Sequence, residues 1–294
     1  MKYAAELNQI QDFMIYTTSL CRDGVMKSFS ENEQSDSRVD ATLKQLFHYF
    51  SDRSQVVSHL VSCEYAWDAE MILRSAFETS AKIWFICLSP EQDRENLVEE
   101  FWGISAQIHN RKRARKAGIS KQLFLFANSQ DDVDIFEALE DKNEFVHDEV
   151  NKRERKVIEQ KWSFSEIINY LETNYPPTFP LKYLSSFLHG YDIASHLIHA
   201  DDCALDLMLD RALRGKEELL LLKCAHITRI WGDLVGLWYV SLAALNHRFD
   251  VAGSSEEIQE AFKKFHDLCH PIRERFYSTQ RDFYENHKQK NAND

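Results

Sequence analysis

Apolar side chains return every three or four residues along most of this chain. Leu7, Ile10, Met14, Ile15, Leu20 and Met26 set the spacing and predict a first helix over about 3–29. A polar run from Ser28 to Ser37 closes it, and the same period predicts helices over about 38–59 and 64–88. Ser89, Pro90 and Gln92 then form a helix start, with a capping hydroxyl, a pre-set φ and an amide returning to the cap. That helix is expected to run to about residue 117 and to end at Gly118. Helices over about 121–127 and 129–150 follow, and the charged run at 151–161 reads as a solvated helix or linker. Ser163 with Glu166 predicts a capped helix as far as Tyr175, where Pro176, Pro177 and Pro180 forbid continuation. Four more helices are predicted over about 181–200, 202–212, 215–248 and 255–288. Ser254 and Glu257 are expected to cap the last, Pro271 to kink or break it, and the tail 287–294 to be disordered.

Nothing in this pattern alternates as a strand does, so the fold class is all-α, about eight to ten helices in one large bundle. One helical domain over 1–294 is expected, with an internal boundary offered only near 176–180. Composition agrees. Only 8 Gly and 5 Pro leave too few turn residues for a barrel or sandwich, while 19 Phe, 11 Tyr and 6 Trp supply a thick core. The formal charge of −12 repels a phosphate backbone at long range, which disfavours a general nucleic-acid scaffold but leaves room for a local basic pocket. Six cysteines without a CxxC pair, behind a mixed polar N-terminus, fit reduced thiols in a cytoplasmic protein. The most apolar stretch, 219–245, is interrupted by Lys223, His226, Arg229 and Asp233 and falls short of the roughly 20 residues a membrane span needs. It is expected to be the most buried helix, and no membrane partner is expected.

Candidate chemistry gathers around histidines. At 100° per residue, Ser185, His189, Asp192, His196 and His199 share one stripe of a helix, within about 80° of one another. Leu184, Phe187, Tyr191, Ala194 and Ile198 take the opposite side. Such a stripe fits a solvated surface with a histidine capping a neighbouring helix, a polar pocket for RNA or another ligand, or part of a metal site. Arg74, Glu78 and Lys82 form an i,i+4 ladder on an otherwise apolar helix, where a charge must be paired or left wet. Arg111, Lys112, Arg113, Arg115 and Lys116 are the best phosphate contacts in an acidic chain, or else a favourable charge at a helix end. Glu144 and His147 make one ExxH, but no second one accompanies it, so a di-metal bundle is not indicated. His266, Cys269 and His270 lack the paired spacing of a zinc site. No glycine-rich phosphate loop, GxSxG elbow or HExxH occurs, and neither a metal nor another cofactor is expected.

Two segments carry resemblances. Arg74 to Glu78, followed downstream by Tyr183-Leu184-Ser185 to His189, resembles an all-helical, mostly bacterial family of unknown function with an early RxxxE and a later LSxxxH-like helix. Lys142-Asn143-Glu144-Phe145-Val146-His147 resembles the RNxxxH signature of the HEPN ribonucleases, helical proteins of toxin–antitoxin and phage-defence systems. That resemblance implies a HEPN-like core, a homodimer, and metal-independent RNA cleavage at a composite interface site. His147 would be the acid/base, Lys142 and Asn143 would hold phosphate, and Glu78 and His189 would support them. Lys142 stands where the signature has arginine, and an ammonium cannot make the bidentate fork to phosphate. Two further readings remain at this point: a non-catalytic helical sensor or protein-interaction module, and a metal-dependent helical hydrolase.

Overall fold

A computed structural model describes residues 3–32, 37–126, 130–139, 152–174, 184–251 and 254–291. Among them there is no strand, and the protein is an all-α, multi-helix bundle. Its helices are α1 (Ala4–Asn32), α2 (Arg38–Ser62), α3 (Ala66–Leu88), α4 (Glu91–Glu100), α5 (Ala106–Phe126), α6 (Gln130–Leu139), α7 (Lys152–Lys161), α8 (Phe164–Asn174), α9 (Ser186–His199), α10 (Asp202–Leu213), α11 (Lys216–Arg248) and α12 (Glu256–Asn291). A π-helical segment, Phe101–Ser105, joins α4 to α5. The described residues hold twelve helices, more than the expected total of eight to ten but in line with the separate segments that the periodicity marks out.

Several local expectations are corrected. Helix α5 passes through Gly118, since a glycine inside a helix costs only about 1 kcal/mol and does not by itself stop it. Pro90 takes the cap position of α4 with no side-chain cap bond, and the Ser89 carbonyl accepts from Arg94 Nε at 2.9 Å. Ser255, not Ser254, offers its hydroxyl to the first turn of α12, accepting from the Ile258 amide at 3.4 Å. Helix α12 continues through Pro271 and as far as Asn291.

The chain divides into two compact units, Met1–Leu88 with Ile167–Asp294, and Ser89–Glu166. In the first, α3 packs against α2, α9 and α11, and α11 also meets α1 and α12. Helix α11 is buried along most of its length, as the sequence leads one to expect. Among the described residues no helix is long and apolar enough to cross a membrane. Aromatic side chains fill this core while their polar ends find partners: Trp84 Nε1 donates to Ser241 Oγ at 2.9 Å, and Trp238 Nε1 to Ser54 Oγ at 3.1 Å. Asp40, fully buried, pairs with Arg248, and Ser28 Oγ donates to Asn246 Oδ1 at 2.7 Å. All six cysteines are free thiols.

In the second unit, Glu100 gathers Lys161 Nζ at 2.9 Å and Trp162 Nε1 at 2.7 Å, with Phe101 against the Trp162 ring. Helices α5 and α6 meet through the stacked rings of Phe124 and Phe136 and an ion pair of Lys121 with Glu137 at 3.0 Å. Ile119, Leu123 and Phe126 of α5 remain exposed.

Candidate functional site

Helix α3 carries Glu70, Arg74, Glu78 and Lys82 at four-residue intervals, which puts four charges of alternating sign on one stripe. Glu70, the deepest, is wholly buried. His226 Nε2 lies 2.8 Å from its Oε2, and the Arg229 guanidinium pairs with the same oxygen. Arg229 Nη1 also donates to Asp233 Oδ2 at 2.9 Å, and Arg211 Nη1 lies 3.1 Å from His226 Nδ1. Arg211 in turn lies over the Trp67 ring, 4.1 Å from its centroid. These contacts assign the imidazole its state: a neutral ring donates from Nε2 to Glu70 and accepts at Nδ1 from Arg211.

The electrostatics follow from burial and pairing. Burial pushes the Glu70 carboxyl up, but the His226 hydrogen bond and the Arg229 charge outweigh it and hold the group below the usual carboxylate value. Burial lowers His226 and, with Arg211 and Arg229 nearby, keeps it neutral despite Glu70. Burial raises Asp233 to about 6 even though Arg229 opposes the shift.

Helix α9 closes on this network at Gly190. A Cβ there would stand 2.9 Å from Asp233 Oδ2, 3.1 Å from Phe77 Cζ and 3.2 Å from Arg229 Nη1, so any side chain at this position makes the network shift. The next residue, Tyr191, completes the outer half of the α3 ladder. Its hydroxyl donates to Glu78 Oε1 at 3.2 Å, Arg74 Nε reaches the same oxygen at 3.2 Å, and Arg74 lies over the Tyr191 ring. Burial, chiefly, lowers Lys82, with Glu78 opposing the shift. Arg74, Glu78 and Tyr191 therefore form a closed polar triad rather than an open pocket.

The histidine stripe faces the other way. Phe187, Gly190 and Ala194 are buried, whereas Ser185, His189, Asp192 and His199 are exposed. His196 is half-buried, with Nδ1 2.6 Å from Asp201 Oδ2 and Nε2 3.5 Å from Asp192 Oδ2. Asp201 is the N-cap of α10, its Oδ1 accepting from the Ala204 amide at 3.2 Å. His196, Asp201 and Cys203 bring one ligand atom each within 4.8 Å of one another and form the candidate His/Asp/Cys cluster of the described residues. His266 and Cys269 turn inward, Cys269 wholly buried, while His270 is exposed beside Glu274.

Of the basic run, Lys112, Arg113, Arg115 and Lys116 are exposed on α5, Lys112 pairing with Glu159, and Arg111 is half-buried. Lys142, Asn143 and His147 lie outside the described residues.

Helix α10 shows a feature the sequence reading passed over. Ala204, Leu207, Arg211 and Arg214 turn inward, yet Leu205, Met208, Leu209 and Leu213 are 58%, 49%, 57% and 78% exposed. At 100° per residue these four occupy one continuous arc, bordered by Asp202, Asp206 and Asp210 in an i,i+4 row.

A model of an all-helical family of unknown function, DUF5677, matches residues 41–216. The chain belongs to this family. The resemblance carried by Arg74–Glu78 and Ser185–His189 is in line with it. The match takes in the α3 ladder, α9 with its histidines, and α10, whereas His226, Arg229 and Asp233 lie beyond it on α11. No curated protein and no solved structure matches the chain.

Glu70, Tyr191 and the α11 trio were missed as a site by sequence reasoning. Glu70 was within reach, since it stands four residues before Arg74 on the same stripe. The α11 residues showed only as polar interruptions of an apolar run, and no spacing within one helix names a partner on another.

Proposed function

We propose that this chain is a helical protein-interaction module, and that the outer face of α10 docks a partner helix whose apolar stripe is bordered by basic side chains. The observation that carries this is the exposed arc of Leu205, Met208, Leu209 and Leu213 beside the exposed Asp202 and Asp206, with Asp210 next in the row and paired with Arg214. A cluster of large apolar side chains left in water on one helix marks a docking surface, and the acid row gives the partner its sign. The histidines of α9 support the same reading, because His189 and His199 are exposed to solvent rather than gathered with the Arg74–Glu78–Tyr191 triad. A labelled amphipathic Leu/Lys peptide is expected to bind the wild type and to lose at least about tenfold in affinity, some 1.4 kcal/mol, with Leu209→Ser/Leu213→Ser at unchanged helicity. An acidic Leu/Glu peptide is expected not to bind. Equal binding of both peptides, or self-association of the chain through this face, would overturn the proposal.

A second reading is metal-independent RNA cleavage of the HEPN kind, in a homodimeric toxin or phage-defence protein. The exposed Arg113, Arg115 and Lys116 favour it, as does the likeness of Lys142 to His147 to the RNxxxH signature. On this reading the purified chain cleaves RNA with metal chelated, and His147→Ala lowers the rate by about 10²-fold or more. On the interaction reading neither protein cleaves.

A further inference from the structure

We propose that the corner between α9 and α10 binds a divalent transition ion of the zinc type through His196 Nδ1, a carboxylate oxygen of Asp201 and the Cys203 thiolate. The donors are an imidazole, a carboxylate and a thiol, the mixture that selects zinc or cobalt over magnesium or calcium, which take oxygen alone. Two features of the backbone bring them together. Ala200 is in the left-handed region, φ 47° and ψ 41°, a conformation an alanine adopts at a cost, and it turns the chain back at the end of α9. Asp201 then caps α10 with Oδ1, which leaves Oδ2 facing the His196 ring.

The histidine is oriented as a ligand is. Its Nε2 lies 3.5 Å from Asp192 Oδ2, one helical turn earlier on α9. A ligating imidazole usually donates its second N–H to such a carboxylate, which fixes the ring and strengthens the other nitrogen as a donor. The ligand atoms lie within 4.8 Å of one another, and tetrahedral bonds of 2.0–2.3 Å would draw them to about 3.5 Å apart. The 2.6 Å His196–Asp201 contact has to open by about 1 Å as the ion takes the place of the proton between them. Cys203 is exposed, so the fourth position is open to water or to a group from outside. This proposal goes beyond the docking reading and does not depend on it, since Cys203 lies on the other side of α10 from the apolar arc.

The test is titration of the full-length, reduced chain with Co²⁺, followed by absorption. The wild type is expected to develop a thiolate-to-cobalt charge-transfer band that saturates at one equivalent and is displaced by Zn²⁺. Cys203→Ser is expected to abolish the band, and Asp192→Asn to keep it with affinity about tenfold weaker. Cys63→Ser, which removes the other exposed thiol, is expected to leave it unchanged. Absence of a band in the wild type, or a band that survives Cys203→Ser, overturns the assignment.

Discussion

Glu70→Ala is expected to cost about 3–5 kcal/mol of folding stability, a large fraction of the roughly 5–15 kcal/mol that holds a domain together. The carboxylate has no exposed surface and is the anion on which His226 and Arg229 converge, with Arg211 behind the imidazole. Its removal leaves the Arg229 guanidinium with Asp233 alone and the His226 Nε2–H without an acceptor. Glu70→Gln keeps an acceptor oxygen in place and should lose less, so the difference between the two variants reports the charge. Because the carboxyl is held below its ordinary 4.5, the unfolded chain binds the extra proton. The Glu70 contribution is therefore present above about pH 4.5 and is lost as the pH falls through the folded value. Urea denaturation at pH 7 measures the effect, and a loss below about 1 kcal/mol for Glu70→Ala would show that the network is ornamental to stability.

Gly190→Val is expected to be the next most damaging change, at about 1–3 kcal/mol or more, through overpacking. The first carbon of a side chain there already meets the Asp233 carboxylate, the Phe77 ring and the Arg229 guanidinium at 2.9–3.2 Å, and valine adds two methyl groups. Asp233 and Arg229 meet it with the ends of half-buried side chains that their mutual ion pair and the Glu70 contact hold in place, and Phe77 belongs to the core. Gly103→Ala is the control: nothing lies within 4 Å of a Cβ at that position, and removing a glycine from a helical segment should be neutral or slightly stabilising. Thermal denaturation of the two variants decides it. Equal melting temperatures would mean that α9 does not close on α11 as described.

Much of the fold was legible because each helix here is a local event. The boundaries of α9, α10 and α11 fall within a few residues of where periodicity puts them, and the buried character of α11 follows from its composition alone. What misled were single residues used as punctuation. Gly118 stops nothing, and the serines at 89 and 254 lie one place away from the residues at the caps, because a cap is settled by backbone direction that sequence does not record. The sites were less legible. Arg74 and Glu78 were visible as an i,i+4 pair, but Tyr191, which closes them into a triad, counted as one more apolar position. The α9 stripe was drawn correctly as a face, and only packing tells which way a face points. The exposed arc of α10 was hidden for a related reason: an amphipathic helix reads the same whether its apolar side meets the core or a partner.

The most direct test of the interaction reading is a charge exchange on that arc. Asp202→Lys/Asp206→Lys leaves Leu205, Met208, Leu209 and Leu213 in place and reverses the two exposed charges beside them, Asp210 staying with Arg214. Fluorescence anisotropy with the Leu/Lys and Leu/Glu peptides should then show the preference inverted, the variant binding the acidic peptide and releasing the basic one. A variant that keeps the wild-type preference, or binds the two peptides equally, would contradict the assignment of α10 as the docking face.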